Sequence, residues 1–382
     1  MKSKEITIIG GGIAGLATAI GLNKIGFKTR LFEAAAHISA VGAGLTLAPN
    51  AISALHYLGI KQEVLEKGYQ LPQIRILDIE GKVINGIDHH WILDKYGIEN
   101  FAIHRADLHS LLMSKLNPAT IYTNKKIIGI KRKPDSCTLF FKDGSRHEAE
   151  YIIVADGIHS LIRQELIPTS TPRFSGYTCW RGIITDHELN LKETTETWGY
   201  GKRFGIVPIN KNQLYWFATM NAKAQDESLM RIKSSTDFKT LFKGFHQEVQ
   251  EVIGKIKPES VLWNDILDIR PLKKYAYDRI LLIGDAAHAT TPNLGQGACQ
   301  ALEDAAVLTD ALSKELEIIS AFQVFEKRRI SKATSVINTS QQLGKIAQWE
   351  NKLFCSLRNF IVKMTPTQVN MKQFDKLYTV DF

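Results

Sequence analysis

The sequence is poor in what a metal-held or disulfide-held scaffold requires. It has four cysteines, Cys137, Cys179, Cys299 and Cys355, with no CxxC pair and no Cys/His group at zinc-ligand spacing. No structural zinc, no dithiol redox centre and no other metal site is therefore expected, and so few thiols suit a reducing cytoplasm. Internal repeats, low-complexity linkers and long basic tracts are missing too. The longest basic grouping is Lys131-Arg132-Lys133, without basic and aromatic residues interleaved. Nucleic acid is thus not an expected partner, although 48 Lys and Arg against 39 Asp and Glu give a net charge of +9. That sign reads as a lysine-rich surface, and it is compatible with a small anionic substrate or a nicotinamide phosphate. The longest uncharged apolar run, Ile6 to Leu22, approaches the length of a membrane span. It contains Gly10, Gly11, Gly12, Gly15 and Gly21 and follows Glu5, so it reads as a buried strand, a tight turn and a buried helix, with neither a membrane span nor a targeting signal.

What is present is an ordinary globular composition. In 382 residues, 44% are apolar and 23% charged, enough for two domains or one large one with its own core. The first 34 residues pattern as a βαβ unit: strand Glu5 to Ile9, helix Ala14 to Ile25, strand Lys28 to Glu33. A helix is expected from Pro49-Asn50 to Leu58, strands from Gln73 to Ile84, a helix from Arg105 to Leu116, alternating strands from Ile121 to Phe141, and a fully buried strand at Tyr151 to Ala155. Between Ser175 and Asp268 the period becomes that of an antiparallel sheet, with one helix-like stretch from Thr236 to Ile253. Ile280 to Ile283 is again a buried strand, a long helix begins near Gly297, and helical patterning from Ile318 to Arg358 gives way to a polar tail.

Gly10-Gly11-Gly12-Ile13-Ala14-Gly15 satisfies GxGxxG where a strand turns into a helix. In that context Gly10 and Gly12 make the turn and admit a pyrophosphate, Gly15 permits close helix packing, and the amides opening the helix at Ile13 and Ala14 present positive charge to phosphate. Glu33, 21 residues after Gly12, suits the hydroxyls of an unphosphorylated adenosine ribose, as in FAD or NAD. No second GxGxxG follows a strand elsewhere, which excludes a two-nucleotide disulfide reductase.

Three separated segments together resemble the class A, single-component FAD-dependent monooxygenases, which include aromatic-ring hydroxylases, urate hydroxylases and zeaxanthin-epoxidase-like enzymes. They are the glycine loop with Glu33, the DG motif in Asp156-Gly157-Ile158-His159-Ser160-Leu161-Ile162-Arg163, and the GD motif in Gly284-Asp285 continuing through Pro292-Asn293-Leu294-Gly295-Gln296-Gly297. Similarity at Gly42 to Leu58, which includes Gly44, and at Phe174 to Gly182 extends the resemblance to about residue 330. It implies an α/β fold: a Rossmann-type FAD-binding domain with an inserted, mainly antiparallel substrate domain and a helical C-terminus. The corresponding division is 1–72, 101–174 and 269–330 for FAD, 73–100 and 175–268 for substrate, and 331–382 as a C-terminal helical segment.

The resemblance also implies roles. Asp285 would bind the flavin ribityl chain, Arg105 and Gly44 would contact FAD, and Asp156 with Arg163 would lie near the pyrophosphate, unless that pair only fixes loop geometry. Pro292 would sit beside the reactive edge of the flavin. Gly295 and Gly297 would leave room for the ring, with a helix N-terminus aimed at it. Trp180, Arg181, Arg203, Tyr215 and Asn293 are candidates for the substrate pocket, with Arg203 offering a planar fork to an acidic ring and Tyr215 a phenolic relay. Asn293 stands where urate-type relatives tend to carry Asp. His288, His159 and His104 read as structural.

The expected activity is hydroxylation of a small aromatic or heteroaromatic ring with NADH or NADPH and O2 through a C4a-hydroperoxyflavin, in a cytoplasmic monomer or homodimer. An oxidase or reductase without oxygen insertion, and a non-catalytic flavoprotein, are the alternatives.

Overall fold

A computed structural model describes residues 4–36, 43–71, 73–87, 89–98, 100–185, 193–223, 225 and 235–382. Gly42, where one of the similar segments begins, lies outside them. The first sheet has six strands among the described residues, ordered Ala276–Tyr277, Ile280–Leu282, Ile152–Val154, Glu5–Ile9, Lys28–Phe32 and Ile121–Tyr122. All neighbours run parallel except the antiparallel edge pair of Ala276–Tyr277 with Ile280–Leu282. Glu5–Ile9 lies inside this sheet and is covered on both faces, which is why Ile6, Ile8 and Ile9 are all apolar rather than alternating.

The helix Ile13–Lys24 returns along that sheet and crosses the helix Gly297–Lys314. Gly21 makes the crossing close, since a Cβ there would lie 2.0 Å from the Thr309 hydroxyl. The fold thus brings an early and a late segment of the chain together under one sheet edge.

Among the described residues a second sheet has seven strands, in the order Leu262–Asp268, Arg173–Thr185, Gln213–Asn221, Lys202–Asn210, Thr194–Trp198, Ile74–Asp78 and Val83–Ile87. Its period of two separates two faces. Trp180, Phe204 and Trp216 point to one, where Phe238, Phe242 and Val249 of two short helices and the turn between them cover them. Burial of each such aromatic contributes about 1.5–3 kcal/mol. Tyr177, Arg181, Arg203, Tyr215 and Phe217 point to the other, towards the first sheet.

One expectation changes. The helix predicted over Thr236 to Ile253 is two helices, Ser235–Leu241 and Gln247–Gly254, separated by a turn in which Gly244 takes φ +94°. A positive φ cannot be continued as helix. The expected helical C-terminus is three helices, Ile318–Ala347, Lys352–Met364 and Thr367–Tyr378, the last of them formed by the polar tail beyond Arg358. Only one stripe of the last helix is apolar, and its buried Tyr378 packs edge-on against Tyr96 with ring centres 5.6 Å apart. All four cysteines are buried and unpaired. Among the described residues no helix is long and apolar enough to cross a membrane.

Candidate flavin and substrate site

The glycine loop is shaped by three different demands. Gly10 has φ +107°, and a Cβ on it would lie 2.3 Å from the Ala155 carbonyl oxygen, so the two strand ends touch. Gly15 lets its helix pass over the turn, because a Cβ there would fall 1.9 Å from the Gly10 oxygen. At Gly12, which caps the helix, a Cβ would meet nothing within 4 Å. Gly10 and Gly15 are therefore required by the protein itself, whereas the space in front of Gly12 is open at the positive end of a twelve-residue helix. Glu33 stands beside it, accepting from Gly11 N–H at 2.6 Å and Ala35 N–H at 2.8 Å. His109 reaches in from the helix Arg105–Ser114 and holds the Gly11 carbonyl at 2.7 Å, a support that the sequence reading missed.

On the adjacent strand end, Asp156 has a buried Oδ1 without a hydrogen-bond partner. Burial raises its pKa to about 6, opposed by the Ser160 hydroxyl and by Arg163. Arg163 is itself fully buried and donates to the carbonyls of Ser170, Ala286 and Ile158, bracing the DG loop against the segment that carries Asp285. Burial lowers its pKa, with Asp156 and Asp285 acting against that.

Asp285 lies at the carboxyl edge of the first sheet, one residue after Gly284, whose φ is +55°. A Cβ on Gly284 would lie 2.8 Å from Ala14 Cβ, so the turn fits only by lacking one. The carboxyl of Asp285 is surrounded by protein, which raises its pKa, with His288 and Arg105 opposing; the residue is nevertheless open to water and so faces a cleft. Arg105 opens onto the same cleft: desolvation depresses its pKa, the nearby Asp285 charge raises it, and Arg181 is close enough to lower it further. Past Asp285, Gly295 turns with φ +63° and the eighteen-residue helix from Gly297 aims its N-terminus back at the cleft. Pro292 is exposed there.

The roof is the inner face of the seven-stranded sheet. Tyr215 packs on Gly44, where a Cβ would be 2.5 Å from the Tyr215 Cβ, and burial raises the Tyr215 pKa. Arg181 donates from Nη2 to Asn264 Oδ1 at 2.8 Å, while its buried Nε has no partner. Arg203 departs from expectation: it is buried and its guanidinium is fully engaged, with Gln348 Oε1 at 2.8 Å, Glu196 Oε1 at 2.9 Å and Asn293 Oδ1 at 2.8 Å. Asn293 in turn donates to the Tyr177 hydroxyl at 2.9 Å and the Ser340 carbonyl at 2.8 Å. Arg203 thus offers no free fork; it fixes the loop that starts at Pro292. Trp180 is corrected as well, since strand alternation puts it on the opposite face, edge-on to Phe238.

A buried network under the Gly297–Lys314 helix was also missed. Asp304 accepts from Gly284 N–H at 2.8 Å and from Arg329 Nε at 2.6 Å, and Glu303 binds Lys332 at 2.7 Å and Asn50 at 2.8 Å. The adjacent acids Glu303-Asp304 within a largely buried helix were the available signal, because buried charges require partners.

The residues suit FAD along its length: an open cradle at Gly12, an unpartnered buried oxygen on Asp156, and a water-accessible carboxylate at the floor of the cleft. Comparison with known proteins agrees. The family model described as FAD binding domain matches residues 3–321. The chain is 34% identical to the aurachin C monooxygenase/isomerase of Stigmatella aurantiaca over 94% of each chain. It is 31% identical to a Pseudomonas aeruginosa 2-heptyl-3-hydroxy-4(1H)-quinolone synthase, over 98% of this chain and 97% of the relative. The structure of Klebsiella pneumoniae HpxO complexed with FAD and uric acid superposes with a TM-score of 0.88 at 25% identity, over 97% of this chain and 95% of that one.

Proposed function

The chain belongs to the family of FAD-dependent aromatic and heteroaromatic monooxygenases, and from that premise we propose that it hydroxylates a fused N-heteroaromatic ring of the 4-quinolone type carrying an apolar substituent. NAD(P)H is the reductant and O2 the proposed oxidant. We place the reaction in the cytoplasm, in a monomer or homodimer.

In this reading Gly12, Ile13 and Ala14 hold the pyrophosphate through backbone amides, Glu33 the adenosine ribose, and Asp285 the ribityl chain, with Arg105 and Asp156 beside them. Bound FAD supplies hydride acceptance and oxygen activation. The chain's own work is placement and exclusion of water. The Gly297–Lys314 helix presents its positive end where the reduced ring carries negative charge. Pro292 and Asn293 form the wall next to the ring, held by Arg203 as a positioning residue.

The observation that carries the substrate class is the contrast between two arginines. Every donor group of Arg203 is turned to a protein partner, whereas Arg181 keeps one buried donor, Nε, unpaired. With Arg203 engaged, that residue leaves no bidentate fork for a substrate carboxylate, whereas a neutral ring oxygen needs only a single donor. Tyr215 and Phe217, both partly exposed, supply flat apolar surface on the same sheet face. This favours a neutral oxo-heterocycle over a benzoate.

Stimulation of NAD(P)H oxidation by 2-heptyl-4(1H)-quinolone, with a product heavier by one oxygen atom, tests the proposal. If 3-hydroxybenzoate or urate stimulates turnover and the quinolone does not, the substrate class is wrong.

A further inference from the structure

The helix Lys352–Met364 is fixed to the body by one narrow face. Arg358 is buried, donates to the Ala347 carbonyl at 2.9 Å and stacks on Trp198 at 5.2 Å, and Cys355 is buried beside it. Its outward face is apolar. Leu353 is 80% exposed, Phe354 59%, Leu357 52%, Phe360 63%, Ile361 54% and Met364 65%. At 3.6 residues per turn these six side chains share an arc of about 120°. Because Arg358 and Cys355 pin the other side, the helix cannot roll to bury that arc on its own protein.

The surroundings select the occupant. From Asn351 to Phe374 the sequence contains Lys352, Arg358, Lys363 and Lys372 and no acidic residue. Lys352 and Lys363 fall on the same flank of the apolar arc by helical spacing. Trp349 and Tyr200, both partly exposed, stand at the N-terminal end, with Trp349 6.1 Å from the Phe354 ring and Lys352 Nζ 5.8 Å from that of Tyr200. An apolar strip rimmed by lysines and interfacial aromatics is the pattern of a helix lying in a bilayer surface. Self-association is disfavoured, since an antiparallel two-fold pairing of this face would bring lysine rows together, and the flanking carboxylates, Glu350 and Asp375, are already held by Asn221 and Lys95.

We propose that the helix Lys352–Met364 seats this protein on an anionic lipid bilayer, lying in the plane of the interface with its apolar arc at the acyl boundary and its lysines among the head groups. The contact is peripheral, as the helix has 13 residues and no helix among those described can span a bilayer. It does not depend on the identity of the ring substrate.

The test is flotation of the holoenzyme with phosphatidylcholine vesicles, alone or mixed roughly three to one with phosphatidylglycerol. Flotation with the mixed vesicles is expected, falling as salt is raised. Leu357→Glu/Phe360→Glu should weaken it at least about tenfold with flavin content and circular dichroism unchanged. The uncharged pair Leu353→Gln/Phe354→Gln should weaken it too, and Lys352→Glu/Lys363→Glu should abolish the preference for anionic lipid. Failure of the holoenzyme to float overturns the proposal. So does equal flotation of the Leu357/Phe360 variant, or a dimer in sedimentation equilibrium that this variant dissociates.

Discussion

His288 Nε2 lies 2.6 Å from Asp304 Oδ2, and both side chains are buried. The same carboxylate oxygen accepts the Gly284 amide, and the other one takes Arg329. The turn that presents Asp285 to the cleft is therefore braced from beneath by a buried charge cluster contributed by three successive elements, the turn itself, the Gly297–Lys314 helix and the Ile318–Ala347 helix.

Asp304→Asn leaves Arg329 buried without its carboxylate and is expected to destabilise the FAD-free protein by about 3–5 kcal/mol. Burial pushes the Asp304 pKa up, but His288 and Arg329 outweigh it and hold the group at about 2. A depressed carboxylate stabilises fully above its unfolded value of about 3.9 and loses that contribution as pH falls towards 2. Urea unfolding of both proteins between pH 7 and 3 checks this; an unchanged midpoint at pH 7 contradicts it.

The two glycines of the loop should separate folding from binding. Gly12→Ala is expected to leave the melting temperature of the FAD-free protein within about 2 °C of the parent, because the added Cβ meets only open space, while weakening FAD roughly tenfold or more. Gly15→Ala must displace the Gly10 carbonyl and should lower that melting temperature itself. Calorimetry paired with flavin fluorescence titration distinguishes the two. Equal melting losses in both variants would contradict the assignment.

Asp156 gives the opposite pH behaviour to Asp304. Its pKa is raised to about 6, chiefly by burial, so the folded protein binds the proton more tightly than the unfolded chain does. The charged form therefore costs stability above pH 6, and that cost disappears as pH falls from about 6 to about 4. Asp156→Asn is expected to stabilise the FAD-free protein by about 1–3 kcal/mol at pH 7.5 and to have no effect at pH 4. Denaturant titrations at the two pH values would refute this if the difference did not change.

Arg203 and Asn293 should behave as one unit. Arg203→Lys keeps the charge but not the three-way fork, so substrate-dependent NAD(P)H oxidation is expected to yield more H2O2 and less hydroxylated product, with KM for NAD(P)H little changed. In a double-mutant cycle with Asn293→Ala the losses in product formation should be non-additive by about 1 kcal/mol or more. Strict additivity would show that the contact at 2.8 Å does no positioning.

Much of the cofactor half was legible because its signals are local. A strand, a glycine turn and a helix are adjacent in sequence, so the close approaches at Gly10 and Gly15 could be expected from the motif alone, and the place of Asp285 at the end of a buried strand from its Gly-Asp turn. The other half depends on strand parity and on partners more than a hundred residues away. Trp180 and Arg181 are neighbours in the chain, yet the pleat sends them to opposite faces, and the residue pattern alone did not say which face meets the cleft. Arg203 looked like a free fork because Gln348 and Asn293, 145 and 90 positions away, were invisible to spacing arguments. The helical C-terminus was legible from its patterning up to Arg358, and beyond it a single narrow apolar stripe made the last helix look like a polar tail.

The four buried thiols acquire meaning beside this chemistry. Burial raises the pKa of Cys137 and Cys355, takes Cys179 to about 11 and Cys299 to about 12, so almost no thiolate exists at neutral pH. Cysteine is oxidised mainly as the thiolate, whereas a methionine thioether needs only to be accessible. A flavoprotein that leaks peroxide during unproductive turnover would thus spare its own cysteines and, when it ages under oxidative load, would take its first damage at exposed sulfur such as that of Met364.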